Sequence, residues 1–358
     1  MRTESSGRVV VSAIVGAGGI ARQHIAAVQQ LEGVQMVASC DLSPITAEAV
    51  ADRYGLSAWY TDHRRMLDEV RPDVVHVTTP PESHRAIAMD AIRAGAHVIV
   101  EKPITTTAAH RTELLAAAAH AGRMLIEDFN YLYNAPVAEL RRMAAAGDLG
   151  EVVHCEVGIA LNILAEGSRF VDANLPHPAL GLPGGAIADF LPHLAYLAHA
   201  FVGAHRKAVP IYTKLNPHSP LPFDEFRGCI ETDRGTAHLV FTSHAQPDAF
   251  WVRVMGTRAR AEAQIFDPRV IVERAEGSPK PLLGFVNGRG VATASRRAAY
   301  ASVWKKLAGG AGSYEGLWTL ISEFYRSLAM GGQPPVTPRM IEEVGAMVTD
   351  LEPREVGA

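Results

Sequence analysis

Two side chains that can move a proton stand four positions apart in the segment GGAIADFLPH, residues 184–193. They are Asp189 and His193, and this spacing places both on one face of a helix. A histidine, with an ordinary pKa near 6.5, suits the acceptance of a hydroxyl proton, and a carboxylate can anchor a neighbouring hydroxyl. The alternative is a simple i,i+4 hydrogen bond on a helix. Pro192 is expected to strain or kink that helix.

Lys102 is the third candidate, in the triplet Glu101-Lys102-Pro103 that follows the fifth predicted strand. Ligands bind at the carboxyl ends of parallel strands in open α/β sheets, so a lysine there is expected to face a ligand. Its ammonium group would stabilise negative charge that develops on a substrate oxygen. The peptide bond before Pro103 is a candidate for the cis form. The alternative is an ordinary lysine at a strand end.

A glycine-rich loop follows the first predicted strand. Its residues are Gly16-Ala17-Gly18-Gly19-Ile20-Ala21, a G-x-G-x-x-A pattern that opens a predicted helix. Gly16 permits the tight turn, Gly18 lets the backbone approach a pyrophosphate, and the small Ala21 allows close packing of helix on strand. The N–H groups of the loop, including those of Gly19 and Ile20, would then meet the diphosphate of a dinucleotide.

Asp41 stands at the end of the second predicted strand, about 20 residues beyond this loop, where a carboxylate can bond the ribose hydroxyls of NAD. The next residues are Leu42 and Ser43, so no adjacent arginine would neutralise the 2′-phosphate of NADP. This pattern predicts NAD as the cofactor. The alternative is a glycine turn that binds nothing, with Asp41 capping the next helix.

The elements that would position these residues alternate strand and helix, which is typical of a doubly wound parallel sheet. The predicted strands are 8–15, 34–40, 58–60, 73–78, 97–101 and 123–126, and the predicted helices are 20–31, 45–54, 64–69, 83–94 and 107–121. Gly55, Gly95 and Gly122 stand where C-terminal caps are expected. We therefore expect an NAD-binding Rossmann domain over residues 1–128.

Longer strands follow one another after residue 128, interrupted by the helix that carries DFLPHLAYLAHAF. Strands without helices between them favour a mostly antiparallel sheet, so we expect an α+β domain for substrate binding and oligomerisation over residues 129–358. Two helices, about 313–330 and 338–351, are expected to close the chain. Without a covering partner, such a large sheet would leave an exposed face, which predicts a homo-oligomer, a dimer or a tetramer.

Composition excludes several classes of protein. The 358 residues contain 48% hydrophobic and 20% charged residues, a globular mixture, and the formal charge of −4 offers no field for a nucleic acid. Three widely spaced cysteines argue against a disulfide framework and favour a cytoplasmic location. No apolar run is long enough to predict a transmembrane segment. The 15 histidines show no metal-ligand spacing, so no metal is expected.

Between Gly277 and Tyr314 the chain has six basic residues and no acidic one. The bases are Lys280, Arg289, Arg296, Arg297, Lys305 and Lys306, beside Tyr300 and Trp304. Such a stretch could receive a phosphorylated or nucleotide-linked sugar or rest on an anionic surface. The alternatives are a solvated basic segment and a subunit contact.

These motifs, in this order, resemble the Gfo/Idh/MocA family, named for glucose–fructose oxidoreductase, inositol dehydrogenase and a rhizopine catabolism protein. The motifs are the glycine loop, Asp41, the segment Thr79-Pro80-Pro81-Glu82-Ser83-His84, the Glu101-Lys102-Pro103 triplet and GGAIADFLPH. The resemblance implies an NAD-dependent oxidoreductase that acts on a sugar, a cyclitol or a sugar derivative. It assigns catalysis to Lys102, Asp189 and His193, and cofactor binding also to Thr79, Pro80, His84, Glu101 and Lys102.

The chain departs from the pattern of this family at four places. Leu191 stands where glycine is common, Tyr196 where an acidic residue is common, and Pro81 where asparagine is common, and an arginine is missing from FNYLYNAP. Two alternative functions stay open at this stage. One is an NAD-assisted glycosidase or lyase on the same scaffold, without net redox change, and the other is a non-catalytic NAD-binding regulator.

Overall fold

The computed structural model describes residues 8–165, 168, 170, 180, 182, 184–277, 279–308 and 314–353. The chain divides into two compact units. The first comprises the residues up to Asn130 together with Leu317–Gly345, and the second comprises Tyr131–Gly316 and the residues from Ala346 onward.

A six-stranded parallel sheet forms the centre of the first unit, as predicted. Its strands are β1 (Val10–Val15), β2 (Val34–Cys40), β3 (Ala58–Tyr60), β4 (Val74–Val77), β5 (His97–Val100) and β6 (Leu125–Glu127), in the order β3-β2-β1-β4-β5-β6. The crossover helices are α1 (Ala21–Val28), α2 (Pro44–Tyr54), α3 (His63–Val70), α4 (Pro81–Arg93) and α5 (Ala108–His120). This strand order is that of a dinucleotide-binding Rossmann fold.

Local chemistry explains why these helices begin and end where they do. In α2, the Ser43 side chain accepts a hydrogen bond from the Thr46 amide at 3.3 Å, and Pro44 occupies the first turn. Gly55 ends this helix in the left-handed region, at φ +66°. In contrast, α1 ends at Val28 instead of the predicted Leu31, because the chain tightens there into a turn with a Leu31 N–H to Val28 O bond of 3.0 Å.

The second unit is built on a seven-stranded sheet in the order β13-β12-β11-β7-β10-β9-β8. Its strands are β7 (Val152–Ala160), β8 (His205–Thr213), β9 (Glu225–Thr232), β10 (Thr236–Thr242), β11 (Ala249–Gly256), β12 (Ala259–Gln264) and β13 (Arg269–Arg274). All neighbouring strands run antiparallel except β7 and β10. The prediction of a mostly antiparallel sheet is confirmed.

Two helices of the second unit are relevant to the candidates Asp189 and His193. A 3₁₀ turn (Asn130–Tyr133) leads into α6 (Ala135–Ala145), and α7 (Ala186–Val202) packs against β7, β9, β10 and β11. Pro192 lies inside α7, yet the helix continues for ten residues beyond it. The proline removes one backbone donor without ending the helix.

The last three helices are α8 (Lys280–Ala308), α9 (Glu315–Met330) and α10 (Pro338–Leu351). Most of the basic stretch forms α8, which packs against β13. The side chains of Trp304, Lys305 and Lys306 lie outside the described ones. In the part of the chain that the structure describes, none of the helices combines the length and the apolar character that crossing a bilayer requires.

Residues Leu317–Gly345 belong to the first unit, whereas the sequence assigned them to the second domain. Their contacts give the physical reason. Tyr325 hydrogen-bonds Ser12 in β1, and Glu342 accepts a hydrogen bond from Arg111 in α5 at 3.3 Å. Contacts between residues more than 200 positions apart leave no local sequence signal.

Candidate active site

The glycine loop after β1 begins with a backbone that only glycine adopts readily. Gly16 has φ +95°, and a Cβ there would lie 2.6 Å from the Thr78 carbonyl carbon and 2.7 Å from the Thr79 amide nitrogen. The Thr78 hydroxyl donates to the Gly16 carbonyl at 2.7 Å. The loop is therefore held against the end of β4, and a side chain at Gly16 would push the two apart.

Open space surrounds the next two glycines. A Cβ added at Gly18 or Gly19 would meet no atom within 4 Å. The helix that follows has Ile20 at its N-cap, without a side-chain hydrogen bond to its first turn, and Ala21 is fully buried against the sheet. The loop thus combines open space, exposed backbone and a helix N-terminus, the combination that a diphosphate requires.

Asp41 is hydrogen-bonded directly to this loop. Its Oδ2 accepts the Ala17 amide at 2.9 Å, and its Oδ1 accepts the Ser43 amide at 2.9 Å. The side chain of Leu42 is 92% exposed. A partly exposed carboxylate beside the glycine loop fits a contact to the ribose hydroxyls of a dinucleotide and opposes a 2′-phosphate by charge repulsion.

His84 is buried and contacts backbone carbonyls of two loops. It is fully buried, with Nε2 2.7 Å from the Thr79 carbonyl and Nδ1 2.9 Å from the Pro103 carbonyl. Burial lowers the pKa of His84, although both carbonyl contacts act in the opposite direction. We therefore propose a supporting role for His84, holding together the loops after β4 and β5, in place of the expected direct contact with a cofactor.

Thr79 and Pro80 form the loop that follows β4 and leads into α4. The Ser83 hydroxyl donates either to the Thr79 hydroxyl at 2.7 Å or to the Pro80 carbonyl at 2.8 Å. Pro80 is the N-cap of α4, without a side-chain cap of its own. This loop lies at the same edge of the sheet as the glycine loop, because β1 and β4 are adjacent and parallel.

Lys102 follows β5 and is half-buried. Its peptide bond to Pro103 is cis, as the sequence suggested. Its backbone amide donates to Glu101 Oε2 at 3.2 Å, and Glu101 Oε1 lies 3.3 Å from His24 Nε2. Burial would raise the pKa of Glu101, but the hydrogen bond and charge of His24 lower it to about 2. Glu101 is therefore an acceptor that fixes the backbone at Lys102, which we propose as its role.

A chain of buried hydrogen bonds continues inward from Glu101, and the sequence analysis missed it. His24 Nδ1 lies 2.9 Å from His76 Nδ1, and His76 Nε2 lies 2.8 Å from the Tyr325 hydroxyl. The Tyr325 hydroxyl is in turn 2.7 Å from Ser12 Oγ. Burial holds the pKa of His76 well below its ordinary value, so this imidazole is neutral.

The ionised Glu101 can only accept, so His24 donates to it from Nε2. His76 is neutral and carries one proton, so it donates to only one of its two partners, His24 and Tyr325, and accepts from the other. Ser12 is fully buried, so the chain ends inside the protein. It is suited to holding Glu101 in place.

Two further carboxyl groups lie beside Glu101. Burial raises the pKa of Glu127 to about 8, and burial together with the charge of Glu101 holds the pKa of Asp128 well above its ordinary range. Ligand atoms of His24, Glu101 and Asp128 lie within 4.8 Å of one another, a spacing that a metal ion could bridge. Because both His24 nitrogens have partners in the chain, we interpret this group as a hydrogen-bond network and assign no metal to it.

Asp189 and His193 lie on α7 in the second unit, as the sequence predicted. Asp189 stands in the first turn and is partly exposed, and His193 is 8% exposed. His193 Nδ1 lies 2.9 Å from the hydroxyl of Tyr196, and the ring of Tyr131 packs edge-on against the imidazole with centroids 4.8 Å apart. In the sequence, Tyr196 was identified only as a residue that stands where the family commonly has an acidic one.

The predicted residues thus fall into two groups. In the first unit, the glycine loop, Asp41, Thr79 and Lys102 follow the carboxyl ends of β1, β2, β4 and β5, which are neighbours in one parallel sheet. In the second unit, Asp189 and His193 share α7. The first group fits a dinucleotide, and the second offers an acid/base group beside a carboxylate.

Known proteins are similar to this chain in sequence and in fold. The sequence model of the Gfo/Idh/MocA family, described as an oxidoreductase family with an NAD-binding Rossmann fold, matches residues 10–129. A D-glucoside 3-dehydrogenase of Escherichia coli (strain K12) is 34% identical over 141 residues, which are 39% of this chain and 40% of that protein. An inositol 2-dehydrogenase of Salmonella typhimurium (strain LT2) is 29% identical over 141 residues, 38% of this chain and 42% of that protein.

These two matches span only about two fifths of the length of each relative. A solved structure extends the likeness at the level of fold. The NAD binding oxidoreductase from Klebsiella pneumoniae matches 97% of this chain and 96% of its own with a TM-score of 0.79, at 19% identity. The two-part architecture is therefore shared, and the resemblance seen in the sequence is confirmed. Residues 10–129 of this chain therefore match the NAD-binding Rossmann domain that describes the Gfo/Idh/MocA oxidoreductase family.

Proposed function

We propose that the protein is an NAD-dependent oxidoreductase that transfers a hydride between a nicotinamide cofactor and a secondary alcohol or ketone of a sugar, a cyclitol or a sugar derivative. The observation that carries this proposal lies in the first unit. Lys102 follows β5, which is the second strand from β1 in the sheet. It therefore lies at the same edge of the sheet as the glycine loop, which is hydrogen-bonded to Asp41. A lysine at that edge suits the reacting end of a dinucleotide.

Each candidate residue has a role that its chemistry supports. His193 accepts the hydroxyl proton when the alcohol is oxidised and returns it when the ketone is reduced. Lys102 stabilises the negative charge on the substrate oxygen, and Asp189 holds a neighbouring hydroxyl of the substrate. When bound, NAD supplies the acceptor for the hydride that leaves the carbinol carbon.

The substrate class rests on the relatives. One is named for a D-glucoside and the other for inositol, and both substances carry adjacent hydroxyl groups. A carboxylate near a base suits such a substrate, because the carboxylate can accept from one hydroxyl while the base acts on the next.

The test is a spectrophotometric assay of NADH formation, followed at about 340 nm, with a panel of glucosides, free sugars and inositols. We expect net NADH formation with at least one member, and a product oxidised at one carbon by mass spectrometry. If a glycoside is cleaved while NADH does not accumulate, the NAD-assisted glycosidase is the correct function. If NAD binds and the whole panel is inert, the dehydrogenase proposal loses its support.

We also propose a homo-oligomer and a cytoplasmic location. The outward face of the seven-stranded sheet exposes apolar side chains, including Ile211 at 53% and Val209 at 42%. Such a face is commonly covered by a second subunit. Cys40, Cys155 and Cys229 are all free thiols, as expected in a reducing compartment.

A further inference from the structure

Two carboxyl groups lie side by side at the carboxyl edge of the Rossmann sheet. The strands β5 and β6 are parallel neighbours in which Val100 pairs with Glu127. The next residues along these strands are Glu101 and Asp128, and the Asp128 amide donates to the Val100 carbonyl at 2.8 Å. Side chains at paired positions of adjacent strands project to the same face of the sheet. A carboxyl oxygen of Glu101 accordingly lies within 4.8 Å of one of Asp128.

The two carboxyl groups have different partners. Glu101 has two donors, because the Lys102 amide lies 3.2 Å from Oε2 and His24 Nε2 lies 3.3 Å from Oε1. Asp128 is 1% exposed, and among the described residues neither of its oxygens has a partner in ordinary hydrogen-bond geometry. A buried carboxylate without a donor is far less stable than the neutral acid. Of the two groups, Asp128 is therefore the one that keeps a proton.

Repulsion between the two groups has the same consequence. Two carboxyl groups that share a site do not both ionise at neutral pH, and the proton stays on the one whose anion is less stabilised. Burial, followed by the charge of Glu101, holds the pKa of Asp128 well above its ordinary value. Burial opposes the ionisation of Glu101, but the hydrogen bond and charge of His24 lower its pKa to about 2. The pair therefore carries one proton and one negative charge.

Other ionisable groups surround the pair. The charge of Lys102 lowers the pKa of Asp128 and that of Glu127 raises it, but both effects are smaller than those of burial and of Glu101. Arg111 in α5 acts on Glu127, and His76 in β4 contacts His24. These neighbours do not change which member of the pair is protonated.

We propose that Asp128 is a neutral carboxylic acid at neutral pH, that its O–H donates to the Glu101 carboxylate, and that this bond makes Asp128 a positioning residue for Lys102. A carboxylic acid beside a carboxylate forms a strong, charge-assisted hydrogen bond. Glu101 is then held by Asp128, by His24 and by the backbone amide of Lys102 itself. The positioning role rests on the proposed function, in which Lys102 acts on the substrate oxygen, whereas the protonation of Asp128 does not.

Three variants separate the proton of Asp128 from the space that its side chain fills. Asp128→Asn keeps the shape of the side chain and donates from its amide group at every pH. Asp128→Leu fills the site with a side chain that has no donor. Asp68→Asn is the control, because Asp68 is an exposed acid on α3 in the same unit.

The first measurement is ¹³C NMR of protein with labelled aspartate carboxyl carbons. The Asp128 signal is identified by its loss in Asp128→Asn, and Glu127 does not interfere because glutamate is unlabelled. We expect this signal to keep the position of a protonated acid from about pH 5 to about pH 7, where ordinary aspartates are ionised. An ionised Asp128 in this range would overturn the proposal. The result does not require Asp128→Leu to fold.

The second measurement is deuterium exchange of the Lys102 backbone amide, which reports on its bond to Glu101. We expect exchange about tenfold faster in Asp128→Leu and close to the wild-type rate in Asp128→Asn. The Val11 amide donates to Asp73 at 2.9 Å at the opposite edge of the sheet, so it serves as an internal control. An unchanged rate at Lys102 in Asp128→Leu, or equal acceleration of both amides, contradicts the positioning role.

Turnover connects this position to the chemistry. With the substrate found in the NADH assay, we expect kcat to fall about tenfold in Asp128→Leu, Asp128→Asn to recover most of that loss, and Asp68→Asn to match the wild type. Wild-type turnover in Asp128→Leu would also refute the positioning role. A wild type that is inert towards the whole panel refutes the proposed function instead, and the NMR and exchange results still decide the state of Asp128.

Discussion

The hydroxyl of Tyr325 lies 2.7 Å from the hydroxyl of Ser12, although the two residues are 313 positions apart in the chain. This bond joins α9 to β1 at the centre of the Rossmann sheet. It also terminates the buried series that runs through His76 and His24 to Glu101, whose carboxylate accepts the Lys102 amide. A residue near the C-terminus thus helps to hold the strand end that carries a candidate catalytic lysine.

Removing this hydroxyl should weaken the first unit. Tyr325→Phe keeps the ring and leaves Ser12 and His76 without their shared partner, and unsatisfied buried polar groups cost about 1–3 kcal/mol. We expect a loss of that size in the free energy of unfolding, measured by urea titration with circular dichroism. Tyr300→Phe is the control, because the side chain of Tyr300 is 71% exposed. Equal stability of the two variants would contradict a structural role for the network.

The contribution of Glu127 to the stability of the protein should fall between pH 4.5 and 8. The ordinary pKa of this carboxyl is 4.5, burial raises it to about 8 in the folded chain, and its Oε1 accepts the Ile104 amide at 3.0 Å. In this window the unfolded chain has released a proton that the folded chain still holds, so rising pH favours unfolding. The full destabilisation is present above the folded pKa, and it is absent below the unfolded pKa.

Glu127→Gln keeps the acceptor and removes the titration. Its stability should equal that of the wild type near pH 4.5 and exceed it by a few kcal/mol near pH 8, at about 1.4 kcal/mol for each unit of pKa shift. Urea titrations of both proteins at several pH values check this. Stability curves that stay parallel across the window would show that Glu127 is not the group responsible.

The sequence predicted those parts of the fold that depend on local chemistry. The strands 34–40 and 58–60 were predicted at their observed ends, because runs rich in β-branched, aromatic and small apolar residues are bounded there by turn residues. Gly55 was correctly placed at a helix end because a left-handed residue is needed there. The glycine loop and Asp41 were likewise predicted from their spacing, and in the structure Asp41 accepts the loop amide.

The parts that the sequence did not predict depend on contacts between distant residues. Nothing in the sequence near His24 distinguishes it from an ordinary helix residue, since its partners His76 and Glu101 lie 52 and 77 positions away. His84 is buried and contacts the backbone carbonyls of Thr79 and Pro103. These contacts depend on the folded chain, so the sequence motif alone does not predict them. The membership of Leu317–Gly345 in the first unit has the same cause.

Asp41 should determine the choice between NAD and NADP. We expect NAD(H) to bind more tightly than NADP(H) in calorimetric titrations, because the carboxylate repels a 2′-phosphate. Asp41→Asn removes the charge and keeps an acceptor for the Ala17 amide, although its NH2 group cannot accept from the Ser43 amide, so it should narrow the difference in affinity while keeping the bond to the glycine loop. Asp41→Ala removes both and should also weaken NAD binding. Tighter binding of NADP(H) to the wild type would refute the prediction.

The exposed sheet face should be a subunit contact. Light scattering at micromolar concentration is expected to give a dimer or a tetramer. Ile211→Lys places a charge on this face and should lower the observed mass, whereas Met330→Lys, at a 77% exposed position on α9, should not. A wild type that is only monomeric would rule out the assembly, and an Ile211→Lys protein of unchanged mass would place the contact elsewhere.

The chemistry of the proposed reaction predicts how Lys102 and His193 depend on each other. His193→Ala should lower turnover by roughly 10²-fold or more, the usual contribution of a positioned acid/base group, and leave NAD affinity nearly intact. Lys102→Ala should have a similar effect on turnover. In the proposed function both side chains act on the charge of the substrate hydroxyl, so the double variant should lose less than the product of the two single effects. Steady-state kinetics of the four proteins with the substrate found in the NADH assay measure this. Near wild-type turnover in His193→Ala would show that the histidine has no catalytic role. Strictly multiplicative losses in the double variant would show that the two side chains act on different steps.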